Sequence, residues 1–174
     1  LEISKHIRHH LGPVRSVFHE LVSEYVHVDI HWVPPNPKRA HHTLVTTGMS
    51  DLPMSPPKWA PECRLAELLV TLPASWSLER EAVRQGANVW PLRVLKFLAR
   101  FPHMYKTWLW YAHTVPNGHP PEPYDSSTEL CCALLVPTAT LPEAFHTLET
   151  RSGDEVAFFS IVPLHADELE LKLA

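Results

Sequence analysis

Tyr25-Val26-His27-Val28-Asp29-Ile30-His31-Trp32-Val33 is the stretch on which the fold class turns. Val26, Val28, Ile30 and Trp32 alternate with His27, Asp29 and His31, a period of two that a half-buried strand requires and a helix cannot use. Pro34-Pro35-Asn36-Pro37 closes it, because proline donates nothing to a ladder. Upstream, Val14, Val17, Phe18, Leu21 and Val22 recur at helical spacing, which predicts a helix over 14–25.

Downstream, strands are expected at His41–Thr47 and Arg64–Leu72, the latter stopped by Pro73. Between them lies a proline-rich loop, 48–61, carrying Met49, Met54 and Trp59. Residues 75–86 read as a polar loop with one helical turn. The strongest helix runs over 90–101, with Pro91 in the first turn, where proline is tolerated, and Pro102 after its end. Leu92, Leu95 and Ala99 form its buried side; Arg93, Lys96 and Arg100 form a basic side. Further strands are expected at 107–113, 128–136 and 155–162. Thr140-Leu141-Pro142-Glu143 has capping-box spacing and predicts a short helix to Glu149. Ser152-Gly153-Asp154 reads as a turn, and a last helix begins at Asp167. Strands and helices mix without regular βαβ alternation. The expectation is one α+β domain over 1–174, a mixed and mostly antiparallel sheet flanked by helices.

Composition narrows the function. The 174 residues are 45% hydrophobic and carry a formal net charge of −4. That content supports a real core, and the acidic balance disfavours nucleic acid or an anionic membrane as partner. No apolar run reaches the ~18 residues of a membrane span. Cys63, Cys131 and Cys132 are odd in number and include no C-x-x-C, so no disulfide framework is expected and a reducing, cytoplasmic setting fits. Five glycines leave no phosphate-cradling motif, and no G-x-S-x-G elbow is present. No cofactor and no enzymatic activity are expected.

His27, Asp29 and His31 are the sharpest local pattern, among 13 histidines. On a strand these side chains point one way, about 7 Å apart in succession, and imidazole with carboxylate suits zinc or iron. The alternative is the polar face of a half-buried strand, which is preferred here. A metal-binding or metal-dependent hydrolase reading is therefore the second hypothesis. A third is a structural subunit that pairs through an exposed edge strand. Trp59, with the loop methionines, is a candidate contact surface.

A chain of blocks resembles the suppressor-of-fused domain family. The blocks are Val17-Phe18-His19-Glu20-Leu21-Val22-Ser23, Val26-His27-Val28-Asp29-Ile30 with Pro34-Pro35, and Leu44-Val45-Thr46-Thr47-Gly48-Met49-Ser50-Asp51. Leu65-Ala66-Glu67-Leu68-Leu69-Val70-Thr71-Leu72-Pro73, Trp90-Pro91-Leu92 and Leu98-Ala99-Arg100 follow. His113-Thr114-Val115-Pro116, Leu134-Leu135-Val136-Pro137 and Phe159-Ser160-Ile161-Val162-Pro163-Leu164 complete the order, with Asp167-Glu168-Leu169. The chain is most similar to the bacterial single-domain branch.

The resemblance implies an α+β fold, no enzymatic activity and a protein partner. The larger animal member grips an extended peptide of a transcription factor as a β-strand between two domains. Related bacterial domains imply an immunity protein that neutralises a toxin by direct binding. It implies partner-binding roles for Asp29, Met49, Ser50 and Asp51, which match the family pattern. The aromatic of the animal grip falls at Pro53 here. Its acid falls near Trp59, with Glu62 the only acid close by. A monomer or weak dimer is expected.

Overall fold

The computed structural model describes residues 2–20, 23–86 and 88–174. Its frame is an eight-stranded sheet in the order β1-β2-β3-β4-β8-β6-β5, with β7 on β8 beside β6. The strands are β1 (Ser16–Phe18), β2 (Asp29–Val33), β3 (His41–Thr47), β4 (Ala66–Pro73), β5 (Thr114–Pro116), β6 (Cys132–Pro137), β7 (Thr147–Glu149) and β8 (Glu155–Leu164). β1 to β4 form an antiparallel meander. Parallel pairing occurs where β4 meets β8, Ala66 opposite Ala157 through Leu69 opposite Ser160. The α+β expectation, with a mixed, mostly antiparallel sheet, holds.

Both faces are covered, and the strand alternation assigns each side chain. Ile30, Trp32, Leu44, Leu68, Val70, Phe159 and Ile161 turn to one face, where helix α3 (Trp90–Tyr105) lays Leu92, Leu95, Leu98 and Ala99 against them. Full burial of a leucine there stabilises by about 1.5–3 kcal/mol. Val45, Leu69, Val156 and Phe158 turn to the other face, under helix α1 (Glu2–Leu11) through Ile7 and Leu11, with Phe145 between. Helix α4 (Ala166–Leu173) packs Leu169 against Cys132 and Leu164. Helix α2 (Arg80–Arg84) is the single turn expected in the polar loop.

Four sequence expectations are corrected. The described residues of 14–25 form no helix: Ser16–Phe18 is a strand paired with β2, and Arg15 N donates to the Trp32 carbonyl at 2.9 Å. A three-residue strand offers too little alternation to outweigh apolar residues that happen to fall at helical spacing; Leu21 and Val22 lie outside the described residues. Residues 107–113 are irregular, with Ala112 at positive φ, although Trp108, Leu109 and Trp110 are good strand formers. Their backbone serves loops instead: Thr107 accepts from Ser55, and Leu109 N–H points at the Met54 sulfur, 3.4 Å away. The segment after Thr140 makes a 3-10 turn at Glu143–Phe145 and then β7, because Phe158 N–H takes the His146 carbonyl and β8 captures the following residues. Finally, Pro102 does not follow α3 but lies inside it; it is buried, and its carbonyl receives the Thr107 amide. A proline this near the C-terminus removes one ladder bond without ending the helix.

Candidate functional site

The site begins at a turn. β3 ends on Gly48, whose φ of 106° lies in the left-handed region. A Cβ built there would stand 2.0 Å from the His27 carbonyl oxygen, so only glycine fits. Met49–Asp51 follow as a 3-10 turn.

Glu67 holds this turn from β4. Its carboxylate is fully buried and accepts from Thr46 Oγ1 (2.6 Å), Gly48 N (3.0 Å), Ser50 N (3.1 Å) and Ser50 Oγ (2.7 Å). Burial pushes the Glu67 carboxyl above its ordinary range, and these four donors pull it back. Met49 is fully buried, and its carbonyl receives His103 Nε2–H at 3.0 Å, tying the end of α3 to the turn. Burial lowers the His103 pKa, so this imidazole is neutral near pH 7.

The turn launches the proline-rich loop. Met54 N–H donates to Arg64 and Ser55 N–H to Thr107, which pins the loop to the segment after α3. Trp59 stands at the tip, 77% exposed, edge-on to Trp108 with ring centroids 5.8 Å apart. Trp108 in turn packs on His113 at 4.5 Å. Beside them runs an open groove of ≈ 530 Å³, lined by Phe101, Trp108, His113, edge strand β5 and Lys172. Phe101 is the middle rung of an aromatic ladder on α3: it lies 5.9 Å from Phe97 and 4.8 Å from Tyr105. Phe97, Tyr105 and Trp59 are all exposed. Exposed aromatics gathered around a groove are the composition of a protein-contact surface rather than of a folded exterior.

Asp29 sits at the same end of the sheet as the turn, opposite Thr47. It is half-buried and accepts His19 Nδ1–H (2.9 Å) and Glu20 N–H (3.1 Å), with His27 Nε2 3.1 Å away. Glu20 in turn takes Val28 N–H and pairs with Arg100. The carboxylate therefore organises the approach to β2. His31 goes elsewhere: it is buried under α1, its Nε2 3.1 Å from Ser4 Oγ. Among the described residues no three His, Cys, Asp or Glu side chains are grouped to hold a metal ion. His27 and Asp29 meet, but His31 does not join them.

Of the residues expected to meet a partner, Asp51 and Trp59 face solvent, Ser50 is spent on Glu67, and Met49 belongs to the core. The sequence reading passed over Glu67 and the Phe97/Phe101/Tyr105 ladder. Each left a signal: a lone acid in an apolar strand, and aromatics at i, i+4, i+8 away from the buried side.

The family model for "Suppressor of fused protein (SUFU)" matches residues 24–174. The chain belongs to the suppressor of fused family. No curated protein matches it in sequence. Among solved structures it is similar to a suppressor of fused homolog from Neisseria gonorrhoeae: TM-score 0.66, 15% identity, 98% of this chain and 79% of that one. A chain of a Sufu–Fu complex gives 0.64 at 15% identity, covering 97% and 75%. Drosophila Suppressor of Fused gives 0.53 at 18%, covering 82% of this chain and 34% of that one. These likenesses establish a shared suppressor of fused fold. No helix among the described residues is long and apolar enough to cross a membrane.

Proposed function

We propose that this suppressor of fused domain is a protein-binding module, acting in the cytoplasm as an immunity protein that neutralises a toxin by direct contact. The observation that carries the binding role is Trp59. A tryptophan 77% exposed, braced edge-on by Trp108 on a loop anchored by a buried carboxylate, is a pre-ordered anchor for a partner. A relative crystallised as a Sufu–Fu complex supports a protein as ligand. The acidic net charge suits a basic toxin surface. Binding rather than catalysis also fits the polar groups of the site. Glu67 and Ser50 are engaged with each other, and His103 with the Met49 carbonyl.

The test is retention of a partner from native lysate at gentle salt, its identification, and titration of the purified pair against the wild type and Trp59→Ala. A partner whose affinity falls at least about tenfold, the loss of one hot-spot aromatic, supports the reading. A partner indifferent to Trp59 removes this surface from it, and no partner at all removes the binding role.

A further inference from the structure

A second groove lies across the molecule's other sheet edge, between β1 and α2. It encloses ≈ 510 Å³ over a floor of Phe18 and Trp32, whose rings are stacked 6.3 Å apart. Three arginines, Arg15, Arg80 and Arg84, stand around it. Arg15 lies over the Trp32 ring at 5.1 Å and pairs with Glu79 at 2.8 Å. Among the described residues neither Arg80 nor Arg84 has an ion-pair partner, and Glu81 on the same helix is engaged by Gln85. With Glu79 and Glu81 counted against the three arginines, the rim carries an excess of one positive charge in a chain of net charge −4.

We infer that this groove docks an extended acidic segment of a partner protein, which adds to the free edge of β1 while its carboxylates meet Arg80 and Arg84. Three features select that occupant. Among the described residues β1 pairs with β2 alone, so its outer edge offers unpaired backbone groups, which an extended chain satisfies and a compact anion does not. The aromatic floor takes an apolar side chain from alternate positions of such a strand. A second copy of this chain is disfavoured, because β1 against β1 would bring the two arginine sets together. The basic rim also attracts an acidic segment electrostatically. This surface is separate from the Trp59 face, so either assignment can fail alone.

The probe is a library of random twelve-residue peptides displayed on phage, selected on the wild-type domain. Enriched sequences should alternate acidic with apolar residues. Their affinity should fall at least tenfold on Arg80→Glu/Arg84→Glu, both exposed positions, and be unchanged on Trp59→Ala. Amide hydrogen exchange at Ser16–Phe18 should slow at least tenfold at saturation. Enriched peptides without acids, affinity indifferent to the Arg80/Arg84 charge reversal, or unaltered exchange at β1 would each overturn the inference.

Discussion

One oxygen of Glu67, Oε1, accepts from both the amide and the hydroxyl of Ser50, at 3.1 and 2.7 Å. A single β4 side chain therefore fixes the turn from which the proline-rich loop departs. Glu67→Ala leaves Gly48 N–H, Ser50 N–H and the Thr46 hydroxyl without their acceptor in a dry site, and we expect a loss of about 3 kcal/mol or more. Glu67→Gln keeps an acceptor at Oε1 and should cost about 1 kcal/mol. Urea unfolding monitored by circular dichroism separates the two, and equal losses would contradict the assignment.

Gly48→Ala should be comparably damaging. Its Cβ would collide with backbone, not with a movable side-chain tip, and φ is already left-handed. We expect about 2–4 kcal/mol, from strain together with the displaced turn. A melting temperature within a degree of wild type would show that the turn can relax.

Trp59→Ala should separate binding from folding. An exposed side chain contributes within about 0.5 kcal/mol to stability, so the melting temperature should hold while partner affinity falls. A large drop in stability would make Trp59 a packing residue instead.

Acid should loosen the α1 face. His6 stacks on both Phe145 and Phe158, at 5.0 Å each, and His31 is buried beneath the same helix. Burial lowers the pKa of both, and of His10 and His41, below the ordinary 6.5. With folded pKa values depressed, the unfolded chain binds more protons. Their contribution is whole above about pH 6.5 and is lost as pH falls through the folded values. The melting temperature should therefore be lower at pH 5.5 than at 7.5, and His6→Leu/His31→Leu should shrink that difference. An undiminished difference would assign the acid sensitivity elsewhere.

The thiols should be inert. Cys63, Cys131 and Cys132 are buried and free, and burial pushes each pKa up, that of Cys132 to about 11. A thiol-reactive disulfide reagent at pH 7.5 should label none of the three within minutes in the native protein and all three in denaturant. Rapid native labelling of Cys131 or Cys132 would mean that the β6 region opens readily, and of Cys63 that the loop before β4 does.

The strands buried on both faces were legible as long apolar or β-branched runs bounded by glycine or proline: 41–47, 64–72 and 155–162 fall on β3, β4 and β8. Helix α1 escaped notice although Ile3, Ile7 and Leu11 recur every four residues, because histidines and charges surround so narrow a stripe. Strands of three residues, such as β1, β5 and β7, owe their existence to the neighbour they pair with, and local sequence carries little of that. The same holds for the site. The Gly-Met-Ser-Asp turn stood out, whereas its holder, Glu67, lies 17 residues from Ser50 and reaches it only through the β3–β4 register.

The parallel join of β4 to β8 has a consequence for how the protein is made. β8, the last of the described strands in chain order, is not an edge but lies inside the sheet, and its partner residues on β4 precede it by about 90 positions. At about 5–20 residues per second, the finished meander β1–β4 waits roughly 5–20 seconds on the ribosome with its β4 edge bare. Chains cut short before Glu155 keep that edge unpaired and are prone to aggregate, whereas chains that reach Leu164 complete this sheet.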